Sequence, residues 1–381
     1  MENFNCRNYK IYNHFFANWK QEVHGVWTYD DFKNHPDYKK EWVSLTSLVY
    51  HKPSDSVYVG IGSFAGELLW KLDRKTGKLT SCGYEKIADY YDGKFHRSLE
   101  IDGDTIYAGV ALYHDIDKQF DAKGGRIVKY DIPSGKFEFL ATPMERIYIQ
   151  SMCMDKKEKK IYGCGASPEV FWEYDIKANK SRLIAYVGSG VEFGEPHNVV
   201  LDEEGNVWGT YGILRAMDYD TGWDSIRLFR YEPKSDKMTF FKHTLPRTAP
   251  EDKGKIDIAI NGNNGYLYIG TDYGNLCKLD IHTAEATYLG HPGQNTRLAA
   301  LGISPVDGLL YGVAGDGYKA VLFAMDMKTD QILFTEEIMD DDGVRPARIH
   351  FMTFASDGTI YLAENDNEDR SGYLWEVKKK A

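Results

Sequence analysis

The sequence predicts an all-β fold, a seven-bladed β-propeller closed by an N-terminal strand, and three observations carry that prediction. A hairpin signature recurs six times at intervals of 44 to 58 residues: apolar residues, an acid, two variable positions, a small residue and a turn residue. Each copy follows a strand marked by an aromatic residue and glycine. A seventh copy, YLWEVKKKA, aligns Lys378 with the acids and has no fourth strand after it. A long, strand-dense period of this kind is the mark of small sheets in a radial array.

The elements follow in order. The hairpins read LLWKLDRKTG (Asp73), RIVKYDIPSG (Asp131), VFWEYDIKAN (Asp175), RLFRYEPKSD (Glu232), LCKLDIHTA (Asp280) and LFAMDMKTD (Asp326). The second strands ahead of them are VYVGIG, IYAGVA, IYGCGA, VWGTYG, LYIGTD, LYGVAG and IYLAEN. Their β-branched and aromatic residues suit a half-buried pleated surface, and the glycines let neighbouring backbones approach. Turns such as DEEGN, ASDGT and NGNNG join first to second strands. Polar fourth strands (KLTS, KFEF, SRLI, KMTF, EATY, QILF) follow the hairpins. The seventh unit would leave an open edge, an aggregation hazard, so a strand from residues 1–30, NYKIYN or GVWTYD, is expected to complete it. The domain reading is one propeller over residues 1–381, with 1–40 as the N-terminal segment and 41–381 as the blades. A linear β-solenoid is the alternative architecture.

Bulk properties narrow the partners. A formal net charge of −11 argues against nucleic acid, whose phosphates want a basic field. The five cysteines are scattered without CxxC spacing and read as buried free thiols. No apolar run reaches membrane-spanning length, and no basic stretch followed by an apolar core marks a secretory leader. The expectation is a cytoplasmic protein, monomeric or weakly oligomeric, away from membranes.

Propeller geometry puts interblade loops and second-to-third loops on one face. The first-strand starts carry Thr46, His96, Gln150, His197, Asp257 and His350, each 11 or 12 residues before its blade's aromatic mark. These should ring the mouth of the central channel. Loops on the same face add Arg97, Arg146, Tyr148, Glu195, Asn295, Arg297, Arg345 and Arg348, with Tyr113, His114 and Asp115 in blade two. Blade four adds Tyr211, Arg215, Asp218 and Trp223. Individually, such histidines are commonly structural and such arginines pair with local acids. Convergence of four histidines and several arginines is what points to a site.

Arginine grips carboxylates through a planar fork, and His or Tyr moves protons near neutral pH. No nucleophile elbow, P-loop or dinucleotide fingerprint is present. Abstraction of a proton α to a carboxylate, hence β-elimination from a uronic acid, fits this inventory. Glu364 and Asp366 keep a glycosidase-like carboxylate pair open. The acids Asp218, Asp220, Asp224 and Glu364 are candidate Ca2+ or Mg2+ ligands, although solvated surface acids are the plainer reading and no EF-hand spacing occurs.

The repeat, with FHRSLEIDGDTIYAGVALYHD (95–115) and ERIYIQS (145–151), resembles the seven-bladed propeller polysaccharide lyases of the ulvan and rhamnose–glucuronate type. That resemblance implies a catalytic set of His96, His114, Tyr148 and Arg146, with Tyr162 and Tyr211 as other tyrosine candidates. Arg97, Gln150, His197, Tyr211, Arg215, Arg297, Arg348 and His350 would then bind a uronate-containing carbohydrate. A second resemblance is to streptogramin B lyase propellers, through EPHNVVLDEEGNVWGTYG and RIHFMTFASDGTIYLAEND. It implies that His350 and Glu364, fourteen residues apart, act beside a magnesium ion; at the His197 copy, Tyr211 replaces the acid. A non-catalytic propeller binding a glycan or a protein across the same mouth is the alternative of a different class.

Overall fold

The structure, a computed structural model, describes residues 3–16, 27–113, 118, 120–166, 168–188, 196–212, 226–294 and 296–380. The hairpin signature has a direct physical basis. The Asp73 carboxylate accepts from the backbone N–H groups of Lys75 and Thr76, both at 3.0 Å. Asp131, Asp175, Asp280 and Asp326 accept from backbone N–H groups two or three residues on. An acid at that position builds the turn from its own side chain. The turn residue then adopts a left-handed backbone: Gly77, Gly135, Asn179, Asp236, Ala284 and Asp330 all have positive φ.

Each hairpin supplies the third and fourth strands of an antiparallel sheet, and seven such sheets form the ring. Their first strands, in blade order, are Ser44–His51, Leu99–Asp102, Tyr148–Asp155, Val200–Leu201, Ile256–Asn261, Leu298–Ile303 and Ile349–Phe354. The seventh sheet is completed by Phe4–Lys10, which pairs antiparallel with Tyr373–Lys379 from Phe4 opposite Lys379 to Lys10 opposite Tyr373. The closing strand therefore overlaps the NYKIYN candidate. GVWTYD does not serve; its Tyr29 opens a short helix, Tyr29–Asn34, capped by Thr28. Blade one is wider than expected, because Asp92–Lys94 pairs with its second strand and Ala111–Leu112 pairs in turn with Asp92–Lys94.

The aromatic marks fill the seams between blades. Tyr58 packs with Leu99 and Tyr130, Tyr162 with Phe229 and Tyr231, and Tyr361 with Leu48 and Leu72. Burying each such ring contributes about 1.5–3 kcal/mol, so the seams dominate the stability of the ring over its exposed turns. The second-strand glycines make the approach possible. A Cβ on Gly270 would lie 2.3 Å from the Leu298 carbonyl oxygen of the next blade.

In five blades the first strand carries one residue more than its partner. The unpaired residues are Thr46, Gln150, Asp257, Ala299 and His350, at equivalent positions. A bulge re-aims one residue and interrupts the ladder. Five of them around one axis turn that layer of the propeller into something other than sheet.

Candidate functional site

The bulged layer is a hydrogen-bonded cluster across the channel. Thr46 and Gln150 offer carbonyl oxygens, to which His350 Nδ1 and His96 Nδ1 lie at 3.1 and 2.7 Å. Asp257 and Ala299 offer theirs to Arg97, whose Nη1 and Nη2 donate at 2.6 and 3.0 Å. Arg97 Nη2 also donates to the Asp257 carboxylate at 3.1 Å, and its Nε to His350 Nε2 at 3.3 Å. The Nε2 atoms of His96 and His350 are 3.1 Å apart. Above this layer, Arg297 clamps Asp257 from Nε and Nη2, both at 2.7 Å. His197 Nδ1 lies 3.2 Å from Asp257 Oδ1, poorly aligned for a hydrogen bond.

Burial divides the cluster into a floor and a face. The Arg97 and Asp257 side chains are fully buried, and His96, His350 and Gln150 nearly so. His197 and Arg297 keep 17% and 20% of their side chains exposed. Arg97 holds a left-handed backbone, φ 44°, which lets its side chain enter the axis from the loop before blade two.

The charges follow from this arrangement. Burial would raise the Asp257 pKa, but Arg297 and Arg97 outweigh it and hold the carboxyl well below its usual range. Burial lowers Arg97 to about 9, against the support of Asp257, and leaves it charged at neutral pH. For Arg297, burial opposes the charge but Asp257 holds its pKa above the usual value. Burial pushes His96 and His350 well below the imidazole range, and His197 down to about 4. Beside them, burial raises Asp272 to about 6.

Of the residues expected at the mouth, Thr46, His96, Arg97, Gln150, His197, Asp257, Arg297 and His350 meet here. Arg348 stands to one side, paired with Asp316 at 2.7 Å and reaching Asp366 at 3.6 Å. With Thr296, Tyr318 and Glu368 these residues line a recess of about 460 Å³. Arg146 is not brought to the cluster. It is exposed, stands over the Phe120 ring, and lines a separate recess with Lys123 and Glu145. Tyr211 is also elsewhere: its hydroxyl donates to the Phe241 carbonyl at 2.7 Å and its ring packs on Phe240. Tyr162 is a seam residue, and Tyr148 opens blade three half-buried. Arg345 pairs with Glu337, and Tyr113 packs against Phe64 and Trp42. His114, Asp115, Glu195, Arg215, Asp218, Asp220, Trp223, Asp224 and Asn295 lie outside the described residues.

Glu364 corrects the carboxylate readings. It is fully buried. Oε1 accepts from Ala347 N, Asn367 Nδ2 and Arg370 Nη2, and Oε2 from Arg370 Nη1, Tyr373 N and Trp375 Nε1, all at 2.8 to 3.0 Å. A carboxylate with every lone-pair direction used has none left for a metal or a substrate. Among the described residues, no group of three or more His, Cys, Asp or Glu is arranged to hold a metal ion. No described helix is long and apolar enough to cross a membrane.

Sequence reasoning missed Ala299 and the bulges, since an extra strand residue leaves no mark in an apolar run. It also missed Asp257 as the hub, although the residue stood among the first-strand starts.

No family model and no curated protein matches the sequence. Among solved structures the fold is similar to the extracellular domain of the proposed one component system BT4673 from B. thetaiotaomicron. The TM-score is 0.57 at 12% identity, over 88% of this chain and 39% of the other. At that identity the likeness establishes the fold alone, and this chain spans well under two thirds of the neighbour's length.

Proposed function

We propose that the channel mouth binds a small carboxylate-bearing ligand of the uronic acid class, with Arg297 as the anion contact and His197 beside it. One observation carries the reading. Asp257 fixes the Arg297 guanidinium through Nε and Nη2, and among the described residues Nη1 has no partner. A partly exposed cation, held in place before the ligand arrives, loses little freedom on binding a carboxylate. The floor beneath it is closed by Arg97 and the two buried imidazoles. The ligand therefore rests on the mouth and does not thread the channel. The described neighbour, an extracellular domain of a one component system, is in keeping with a binding propeller.

Elimination from the bound uronate is the second reading, favoured by the neutral imidazole that burial maintains at His197 next to the carboxylate-binding arginine. The two readings separate in one experiment, in which glucuronate-, iduronate- and galacturonate-containing oligosaccharides are titrated calorimetrically and then incubated while ultraviolet absorbance is followed. Saturable heat without an unsaturated, absorbing product means binding alone, and product formation means a lyase. Absence of both with every uronate overturns the proposal.

A further inference from the structure

We infer that anion binding at the mouth is coupled to uptake of one proton by the His96–His350 pair, an inference that rests on the mouth being an anion site. A neutral imidazole carries one N–H. His96 Nδ1 faces the Gln150 carbonyl oxygen at 2.7 Å, and His350 Nδ1 faces that of Thr46 at 3.1 Å. Carbonyl oxygens only accept, so both rings place their hydrogen on Nδ1. Each Nε2 is then a lone pair, and the two face each other at 3.1 Å. Arg97 Nε–H, at 3.3 Å, serves the lone pair of His350. That of His96 is left opposed to another acceptor. The alternative tautomers are worse, because each turns a lone pair onto a carbonyl oxygen.

One added proton on His96 Nε2 ends the meeting of two acceptors: Nδ1–H donates to Gln150, and Nε2–H shares the His350 lone pair with Arg97 Nε–H. What opposes it is burial first and charge second. The groups facing the pair are Arg97 and Arg297, with Lys94 and His197 contributing further repulsion; Asp257 pairs with both arginines, and Asp366 and Asp316 also support the charge of Arg297. Arg97, Arg297 and Asp257 together carry one positive charge without the proton, and burial disfavours a second. A carboxylate on Arg297 reduces the charge part of that opposition. By linkage, the anion then raises the proton affinity of His96 and the proton raises the affinity for the anion. A divalent metal is a poor substitute between the rings, since Arg97 points its own positive charge at the same lone pair.

Calorimetric titration of the intact chain with glucuronate, in buffers of different ionisation enthalpy, reads the proton directly. We expect net proton uptake on binding that grows as pH falls, with affinity strengthening by at most about tenfold per unit fall in pH. His96→Gln should abolish the uptake and flatten the pH dependence, whereas His197→Gln at saturating ligand should keep the uptake. Loss of uptake in His197→Gln with retention in His96→Gln overturns the assignment. Binding with no proton uptake in the unaltered protein overturns this inference and leaves the anion site standing. No binding of glucuronate overturns both.

Discussion

Arg97 crosses the channel to Asp257, donating to its carbonyl at 2.6 Å and to its carboxylate at 3.1 Å, with both side chains fully buried. The bond joins the loop before blade two to the first strand of blade five, so one ion pair ties opposite sides of the ring. Because Arg297 holds the same carboxylate, the two partners are not equivalent. Asp257→Asn leaves two guanidiniums facing each other and should cost about 3–5 kcal/mol in urea unfolding. Arg97→Met leaves Asp257 with Arg297 and should cost less. Equal losses in the two variants would show that Asp257 is not the hub.

The buried imidazoles make stability depend on pH. Burial lowers His96, His350 and His197 in the folded protein, whereas in the unfolded chain they titrate near about 6.5. As pH falls below that value the unfolded state takes up protons that the folded state refuses. Stability is therefore full above about pH 6.5 and is lost on acidification, for His197 down to about 4. Each group contributes a slope of up to about 1.4 kcal/mol per pH unit. Urea midpoints at pH 7.5 and 5.5, for the unaltered protein and for His350→Gln, test this; the variant should be the less acid-sensitive.

Glu364 is a structural anchor. Glu364→Gln puts an amide where six donors converge and leaves Arg370 without its counter-charge. The expected loss is about 3–5 kcal/mol, read by thermal unfolding with ligand absent. A variant of unchanged stability would return Glu364 to the list of functional acids.

The closing strand makes a stability prediction of its own. Phe4 and Cys6 are buried in the seventh seam, Phe4 against Phe334 at 5.5 Å, and Arg7 pairs with Glu376 at 2.8 Å. Removing residues 1–11 uncovers the edge of Tyr373–Lys379, and unpaired edges associate. Size-exclusion chromatography should show the soluble species replaced by aggregate.

The parts of the molecule written in local chemistry were legible from sequence. Asp73 and its counterparts announce each hairpin because the acid itself builds the turn. The spacing of His96, Asp257 and His350 from their aromatic marks placed them at one level of the axis, and they do meet there. What was not legible depends on backbone events without a residue code. The bulges at Thr46, Gln150, Asp257, Ala299 and His350 are one-residue insertions in apolar strands. The inward turn of Arg97 needs a positive φ that arginine does not advertise. Arg146 sits on its expected loop but stands over Phe120, and Tyr211 lies inside the strand Val207–Gly212 and not on the loop after it, its hydroxyl taken by the Phe241 carbonyl.

The role of Arg297 is tested most directly by titrating the unaltered protein and Arg297→Gln with glucuronate and with glucose. Losing a charged hydrogen-bond donor costs roughly 1.5–3 kcal/mol, so the variant should bind glucuronate about 10- to 100-fold more weakly, and glucose should bind neither protein. Equal affinity of the two proteins for glucuronate, or saturable binding of glucose, would contradict a carboxylate site at the channel mouth.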